Sequence, residues 1–150
     1  MAGFASIKTY GHERGFSCAF RQWRADSHCS LLHGYAFAFE FRFVSKTLDD
    51  RNWVMDFGAL KPLEEWLRVM FDHTTIVAQD DPMYPLFCDM EDKGLIDLRV
   101  VQSTGCESFA ALAFDEGSRL ARELTGGRVL LESVTVSEHG SNSAMCWGDN

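Results

Sequence analysis

No membrane-spanning run is present. The longest purely apolar stretch of the 150-residue chain, Phe109 to Phe114, falls far short of the about 20 residues that cross a bilayer. Met1 to Gly15 lacks the basic start and apolar stretch of a secretory leader. The expected location is therefore the cytoplasm. Basic charge is scarce as well: 14 Lys and Arg stand against 22 Asp and Glu, a net charge of -8. A nucleic-acid binder needs a basic face, so neither nucleic acid nor membrane is an expected partner. A local basic pocket for a small phosphorylated ligand stays compatible with this balance.

Paired cysteines are missing too. The five, Cys18, Cys29, Cys88, Cys106 and Cys146, are odd in number and none has C-x-x-C spacing. That argues against a disulfide framework and against a four-cysteine zinc knuckle. Most of them read as buried apolar thiols, leaving room for one nucleophile or base. The histidines show neither H-x-H nor H-E-x-x-H spacing. There is no internal repeat and no low-complexity linker. With 46% hydrophobic residues, residues 1–150 are expected to form one domain with a sizeable core.

Tyr35 to Phe43 places an aromatic residue at every odd position. This period of two predicts a strand with one heavily buried face. Extended stretches within Ala5 to Ala19 predict a first strand, bent near Gly11 and Gly15. Leu60, Leu63, Trp66, Leu67, Met70 and Phe71 recur at helical spacing, with Pro62 in the first turn. Pro85 to Glu91 suggests a short helical piece, and Leu98 to Val101 a short strand. Thr104 and Glu107 fit a capping box for a second long helix carrying Phe109, Leu112, Ala113, Leu120, Ala121 and Leu124, ended by Gly126-Gly127. Val129 to Glu138 alternates again, and Ser143 to Trp147 follows through a turn at Gly140 to Asn142. Strands at both ends with helices between predict an α+β fold: a four-stranded antiparallel sheet with two helices on one face. Its two open edges favour oligomerisation.

Three places offer chemistry. Cys29 lies four residues before His33, which opens the aromatic strand; His33 and Tyr35 point to one face of it. This fits a thiolate beside an imidazole, or a loop cysteine and a satisfied histidine. Asp72 precedes His73 just after the first helix. The pair fits a carboxylate that holds an imidazole tautomer, or a favourable cation at a helix C-terminus. Glu138 ends the strand Val134 to Glu138. A carboxylate there can take paired N–H bonds from a planar ligand with an amidine-like edge, or face solvent. Glu107 has the same two-sided character, as capping partner or ligand contact.

Together these pieces resemble the 6-pyruvoyltetrahydropterin synthase / 6-carboxytetrahydropterin synthase family over nearly the whole chain. Cys29-Ser-Leu-Leu-His33-Gly34-Tyr35 is similar to that family's Cys-x-x-x-His-Gly-His. Val54-Met55-Asp56-Phe57-Gly58-Ala59-Leu60-Lys61 resembles its Met-x-Asp-Phe-x-x-Leu-Lys, Phe71-Asp72-His73 its Leu-Asp-His, and Val134-Thr135-Val136-Ser137-Glu138 its terminal Val-x-Val-x-Glu. Gly105-Cys106-Glu107-Ser108 is loosely similar to Thr-x-Glu-Asn. The resemblance implies the tunnelling fold, assembled into a barrel-like oligomer, often a hexamer, with sites at subunit interfaces. It implies a pterin-forming lyase acting on 7,8-dihydroneopterin triphosphate, in the branch that makes 6-carboxytetrahydropterin on the way to 7-deazaguanine compounds. By position, Cys29 would be the proton-abstracting thiolate, Asp72 and His73 its acid/base partners, and Glu138, with Glu107 near it, the grip on the pterin ring. Zinc would be held by three histidines; here Phe20 and Tyr35 stand at two of those positions and His33 alone remains. One histidine does not hold a catalytic zinc; His28 and His12 lie close enough in sequence to be substitutes. The alternative is a metal-free pterin- or purine-binding homologue without lyase activity.

Overall fold

The structure, a computed structural model, describes residues 2–149. It is α+β, as expected. The main sheet is antiparallel with the order β1 (Phe4–Tyr10), β4 (Ala38–Ser45), β7 (Leu130–His139), β8 (Asn142–Trp147). Residues paired across an antiparallel ladder share a face. The rows Tyr10–Phe39–Val136 and Phe41–Val134 therefore form one continuous apolar layer, and every one of these side chains is buried.

Helices α1 (Lys61–Phe71) and α3 (Cys106–Thr125) bear on this sheet. The first buries Leu63, Leu67 and Phe71, and the second Phe109, Ala110, Ala113, Leu120 and Ala121. Phe71 is the meeting point: its ring centre lies 4.8 Å from that of Phe39 and 5.4 Å from that of Phe109. Pro62 occupies the first turn of α1, where its missing N–H costs nothing. Gly126 ends α3 in the left-handed region at φ 61°. Leu124, expected on the buried stripe, is exposed.

The predicted first strand is in fact two. β1 ends at Tyr10, a 3-10 turn follows over His12–Arg14, and β2 (Ser17–Phe20) belongs to a second sheet. The aromatic strand is likewise divided at Phe37 into β3 (His33–Ala36) and β4. Phe37 is the corner where the chain passes from one sheet to the other, its N–H bonded to the Phe16 carbonyl at 3.2 Å. The alternation survives the corner, so one period of two runs through both strands.

The second sheet has the order β3–β2–β5–β6, with β5 at Thr74–Ala78 and β6 at Leu98–Val101. β2 pairs antiparallel with β3 and parallel with β5, which pairs parallel with β6. All five residues of β5 are buried. A short helix α2 (Tyr84–Asp92) connects β5 to β6, close to the expected Pro85–Glu91 piece. Among the described residues, no helix is long and apolar enough to cross a membrane.

The capping box at Thr104 is not formed. The N-cap of α3 is Gly105, at φ 113°, and no side chain caps the helix. That backbone turn carries the Thr104 hydroxyl away from the helix. It donates instead to the Arg21 carbonyl at 2.6 Å.

Candidate functional site

Four segments meet where β2 ends and β3 begins. They are the Arg21–Leu32 connection, the start of β3, the first turn of α3 and the end of β7. Gly34 permits the tight β2–β3 approach. A Cβ at this position would lie 2.3 Å from the backbone oxygen of Cys18, so the glycine between His33 and Tyr35 is sterically required.

The connection carrying Cys29 is tied down by Arg21. Its guanidinium grips Asp81 with two bonds of 2.8 Å and donates to the Ser30 carbonyl at 3.2 Å. Gln22 N–H donates to the Cys29 carbonyl at 2.9 Å. Asp81 is almost fully buried, its side chain 1% exposed, and also accepts the Met83 N–H at 2.8 Å. The Arg21 side chain beside it holds the Asp81 carboxyl below the usual carboxylate range. Cys29 itself is half-buried in a 3-10 turn, His28–Ser30, where its N–H donates to the Ser27 hydroxyl at 3.3 Å.

Tyr35 is the centre of this region. Its ring neighbours are Phe20 (6.3 Å between ring centres), His33 (5.6 Å), Phe37 (5.8 Å) and His139 (6.0 Å). Its hydroxyl is raised above the ordinary tyrosine range, first by burial and then by the nearby Glu138, Cys29 and Cys106. Cys29 and Glu138, from distant stretches of chain, therefore both lie near this phenol. Glu107, in the first turn of α3, is exposed and lines a surface groove with Val101, Ser103, Ser108 and Asp115. Burial, then Glu138, then Glu107, push the neighbouring Cys106 thiol up to about 12. Cys18 is likewise pushed up to about 12, by burial and by Cys106. Cys106 and Cys18 thus remain neutral thiols near pH 7.

Asp72 and His73 are elsewhere in the protomer. Asp72 caps the C-terminus of α1, its N–H bonded to the Arg68 carbonyl. His73 adopts the left-handed conformation at φ 56°. Its N–H donates to the Ser17 carbonyl at 2.7 Å, and its Nδ1 lies 2.6 Å from Asp72 Oδ1. The imidazole is 89% exposed. Ser17 opens β2, whereas Gln22, which holds Cys29, lies just past its end. At ~3.3 Å per residue, that stretch of chain separates the dyad from Cys29 by roughly 15 Å. The dyad is formed, but it does not reach Cys29 of its own chain.

The histidines considered for zinc do not converge. His12 is exposed and its Nδ1 lies 2.5 Å from the Ala36 carbonyl, beyond the far end of β3. His28 is exposed on the 3-10 turn. His33 has Nδ1 2.7 Å from the Leu31 carbonyl and its ring against Phe20, 4.8 Å between centres. Among the described residues, no group of three or more His, Cys, Asp or Glu is arranged to hold a metal. Phe20 offers no donor atom and is completely buried. The residues present do not fit a three-histidine zinc centre.

Sequence reasoning missed Arg21, Asp81 and Cys106. The signal for the first two was faint: two charged residues sixty positions apart, each beside a strand. Cys106 was read only as one more apolar thiol.

The comparisons agree with this architecture. A 6-carboxy-5,6,7,8-tetrahydropterin synthase from Aquifex aeolicus is 35% identical over 85 residues, 57% of this chain and 50% of the relative. One from Rickettsia conorii is 33% identical over 67 residues, 44% of this chain and 49% of the relative. The chain thus spans about half the length of the curated relatives it matches. In fold it is similar to an uncharacterized protein from Wolinella succinogenes, with a TM-score of 0.82, 20% identity and 99% and 100% of the two chains covered. It is also similar to a catalytic-residue mutant of Plasmodium vivax 6-pyruvoyltetrahydropterin synthase, with a TM-score of 0.70, 15% identity and 97% and 98% covered. The family model for 6-pyruvoyl tetrahydropterin synthase matches residues 10–149, and the chain belongs to that family.

Proposed function

We propose that this chain binds a pterin and acts as a lyase on the side chain of 7,8-dihydroneopterin triphosphate. The observation that supports the reading is the surroundings of Tyr35: the ring of His139, next to Glu138, lies 6.0 Å from its ring, and Cys29 is anchored just past the end of the neighbouring β2 by the Gln22 N–H. In this reading the Glu138 carboxylate, near the end of β7, accepts two N–H bonds from the 2-amino-4-oxo edge of the ring. The Cys29 thiol, once ionised, takes a proton from a side-chain carbon in this reading.

In this reading, Asp72 and His73 serve the site of a neighbouring copy. The carboxylate fixes the imidazole tautomer, so the imidazole can move a proton to or from the ligand's side-chain oxygens. An assembled homo-oligomer, a hexamer by analogy with the family, would supply that neighbour. The relatives named 6-carboxy-5,6,7,8-tetrahydropterin synthase favour that product over 6-pyruvoyltetrahydropterin.

The test is incubation of the purified oligomer with 7,8-dihydroneopterin triphosphate, with and without added zinc, followed by product analysis. Formation of a tetrahydropterin product supports the reading. A folded oligomer that makes none in either condition overturns the lyase assignment. The second reading, a pterin-binding homologue without turnover, draws on the replacement of two ligand positions by Phe20 and Tyr35. Tight pterin binding without product would select it.

A further inference from the structure

The rings of Phe20, His33 and Tyr35 form a triangle with sides of 4.8, 5.6 and 6.3 Å between centres. Three imidazoles on one tetrahedral zinc, with Zn–N of about 2.0–2.1 Å, would place their ring centres about 5 Å apart. The fold therefore keeps the spacing of a three-ring metal centre while two of the rings are not imidazoles. Phe20 is fixed there from behind, its ring edge-on to Phe109 at 5.2 Å. His33 directs Nδ1 to the Leu31 carbonyl at 2.7 Å, and among the described residues no hydrogen bond holds its Nε2. Tyr35 is half-buried, and among the described residues no hydrogen bond holds its hydroxyl.

We infer that this site engages its pterin without a metal, and that the Tyr35 hydroxyl stands in the metal's place as a hydrogen-bond donor to an oxygen of the ligand's side chain. This rests on the pterin reading above. The phenol suits the task. A phenol, with an ordinary pKa of about 10, keeps its proton on oxygen through neutral pH, so it donates rather than repels. A neutral donor stabilises an oxygen less than a dication does. The substitution therefore favours recognition of a hydroxylated side chain and lowers the acidity gained by its carbon-bound protons. Tyr35 becomes the residue that tells a hydroxylated pterin from a bare one, because a donor in a half-buried place discriminates when its acceptor is missing.

Three measurements on the full-length oligomer test this. First, protein purified from zinc-supplemented culture is expected to carry far less than one zinc per chain, with neopterin affinity unchanged by a chelator. Near-stoichiometric zinc, or affinity lost on chelation, overturns the inference. Second, Tyr35→Phe is expected to weaken neopterin binding about tenfold, the usual size for one hydrogen bond in a protected site, and to leave 6-methylpterin binding unchanged. Equal effects on both ligands, or on neither, overturn the assigned role of the hydroxyl. Third, Phe20→His with Tyr35→His is expected to gain one zinc per chain, read by metal analysis. A folded double variant that gains none overturns the ring-triangle argument. Should Phe20→His prevent folding, the Tyr35→Phe comparison still decides. If no pterin binds any variant, the pterin reading itself fails, while the zinc content of the wild type and of the double variant still judges the metal-free site.

Discussion

His73 holds Asp72 through Nδ1 at 2.6 Å, yet the pair stands at the opposite end of β2 from Cys29. The imidazole of this dyad is 89% exposed, open to a neighbouring copy. If it completes the site of a neighbouring copy, then Cys29→Ser and His73→Ala are each inactive alone but complement one another. Random mixing in a symmetric oligomer leaves about a quarter of the sites with both residues intact. Turnover of unfolded and co-refolded equal mixtures, measured against either variant alone, checks this. Mixtures as inactive as their components would show that thiol and dyad do not meet across an interface.

Cys29 and Glu138 should separate chemistry from binding. Cys29→Ser is expected to abolish turnover and spare pterin affinity, since a hydroxyl is a far weaker acid than a thiol. Glu138→Gln is expected to weaken pterin binding by about 2 kcal/mol, because one charged acceptor of a paired hydrogen bond is lost. Titration of pterin fluorescence beside a turnover assay reads both. Full activity in Cys29→Ser would mean that another group is the base, and unchanged affinity in Glu138→Gln would put the anchor elsewhere.

What the sequence disclosed follows physical locality. Phe39, Phe41 and Phe43 announce a buried face because alternation is a property of the strand alone. Phe37 continues the pattern, so nothing local reveals that the chain changes sheets there. β5 lies between two parallel neighbours and is buried throughout, so it has no alternation to read. Thr104 looked like a cap because a hydroxyl three residues before Glu107 is a local signal; the turn at Gly105 sends it to Arg21 instead. Cys29 and Glu138 were singled out through motif order, and both lie near Tyr35; Glu107 is exposed in the first turn of α3. Arg21 and Asp81 could not be paired from sequence, because their bond depends on where β2 and β5 lie together. Asp72 and His73 were legible as a dyad; which site they serve depends on assembly.

Gly34 should tolerate no side chain. Its Cβ would lie 2.3 Å from a backbone oxygen of β2, and backbone cannot rotate aside. Gly34→Ala is expected to force β2 and β3 apart and cost about 1–3 kcal/mol, as overpacking does. It should also spread the Phe20–His33–Tyr35 rings and weaken pterin binding. Urea midpoints and pterin titrations of the variant check both effects. A variant with wild-type values for each would mean that the two strands are not held at this spacing in solution.

The buried pair of Arg21 and Asp81 gives a pH dependence with a definite sign. The Asp81 carboxyl titrates below its unfolded range, held there by Arg21, so folding favours the ionised form. Its contribution is complete above the ordinary Asp pKa of about 3.9 and is lost as the pH falls through the lower folded value. Asp81→Asn removes the charge while leaving Arg21 in place, and is expected to cost about 3 kcal/mol near neutrality. The gap between wild type and Asp81→Asn should therefore be widest at pH 7 and shrink towards pH 3, as measured by urea unfolding at each pH. Because Arg21 also holds the Ser30 carbonyl beside Cys29, the same variant should loosen that connection and lower turnover at pH 7. A gap that stays constant with pH would remove Asp81 ionisation as its source, and the tether on Cys29 would have to be sought in the Thr104 and Gln22 hydrogen bonds instead.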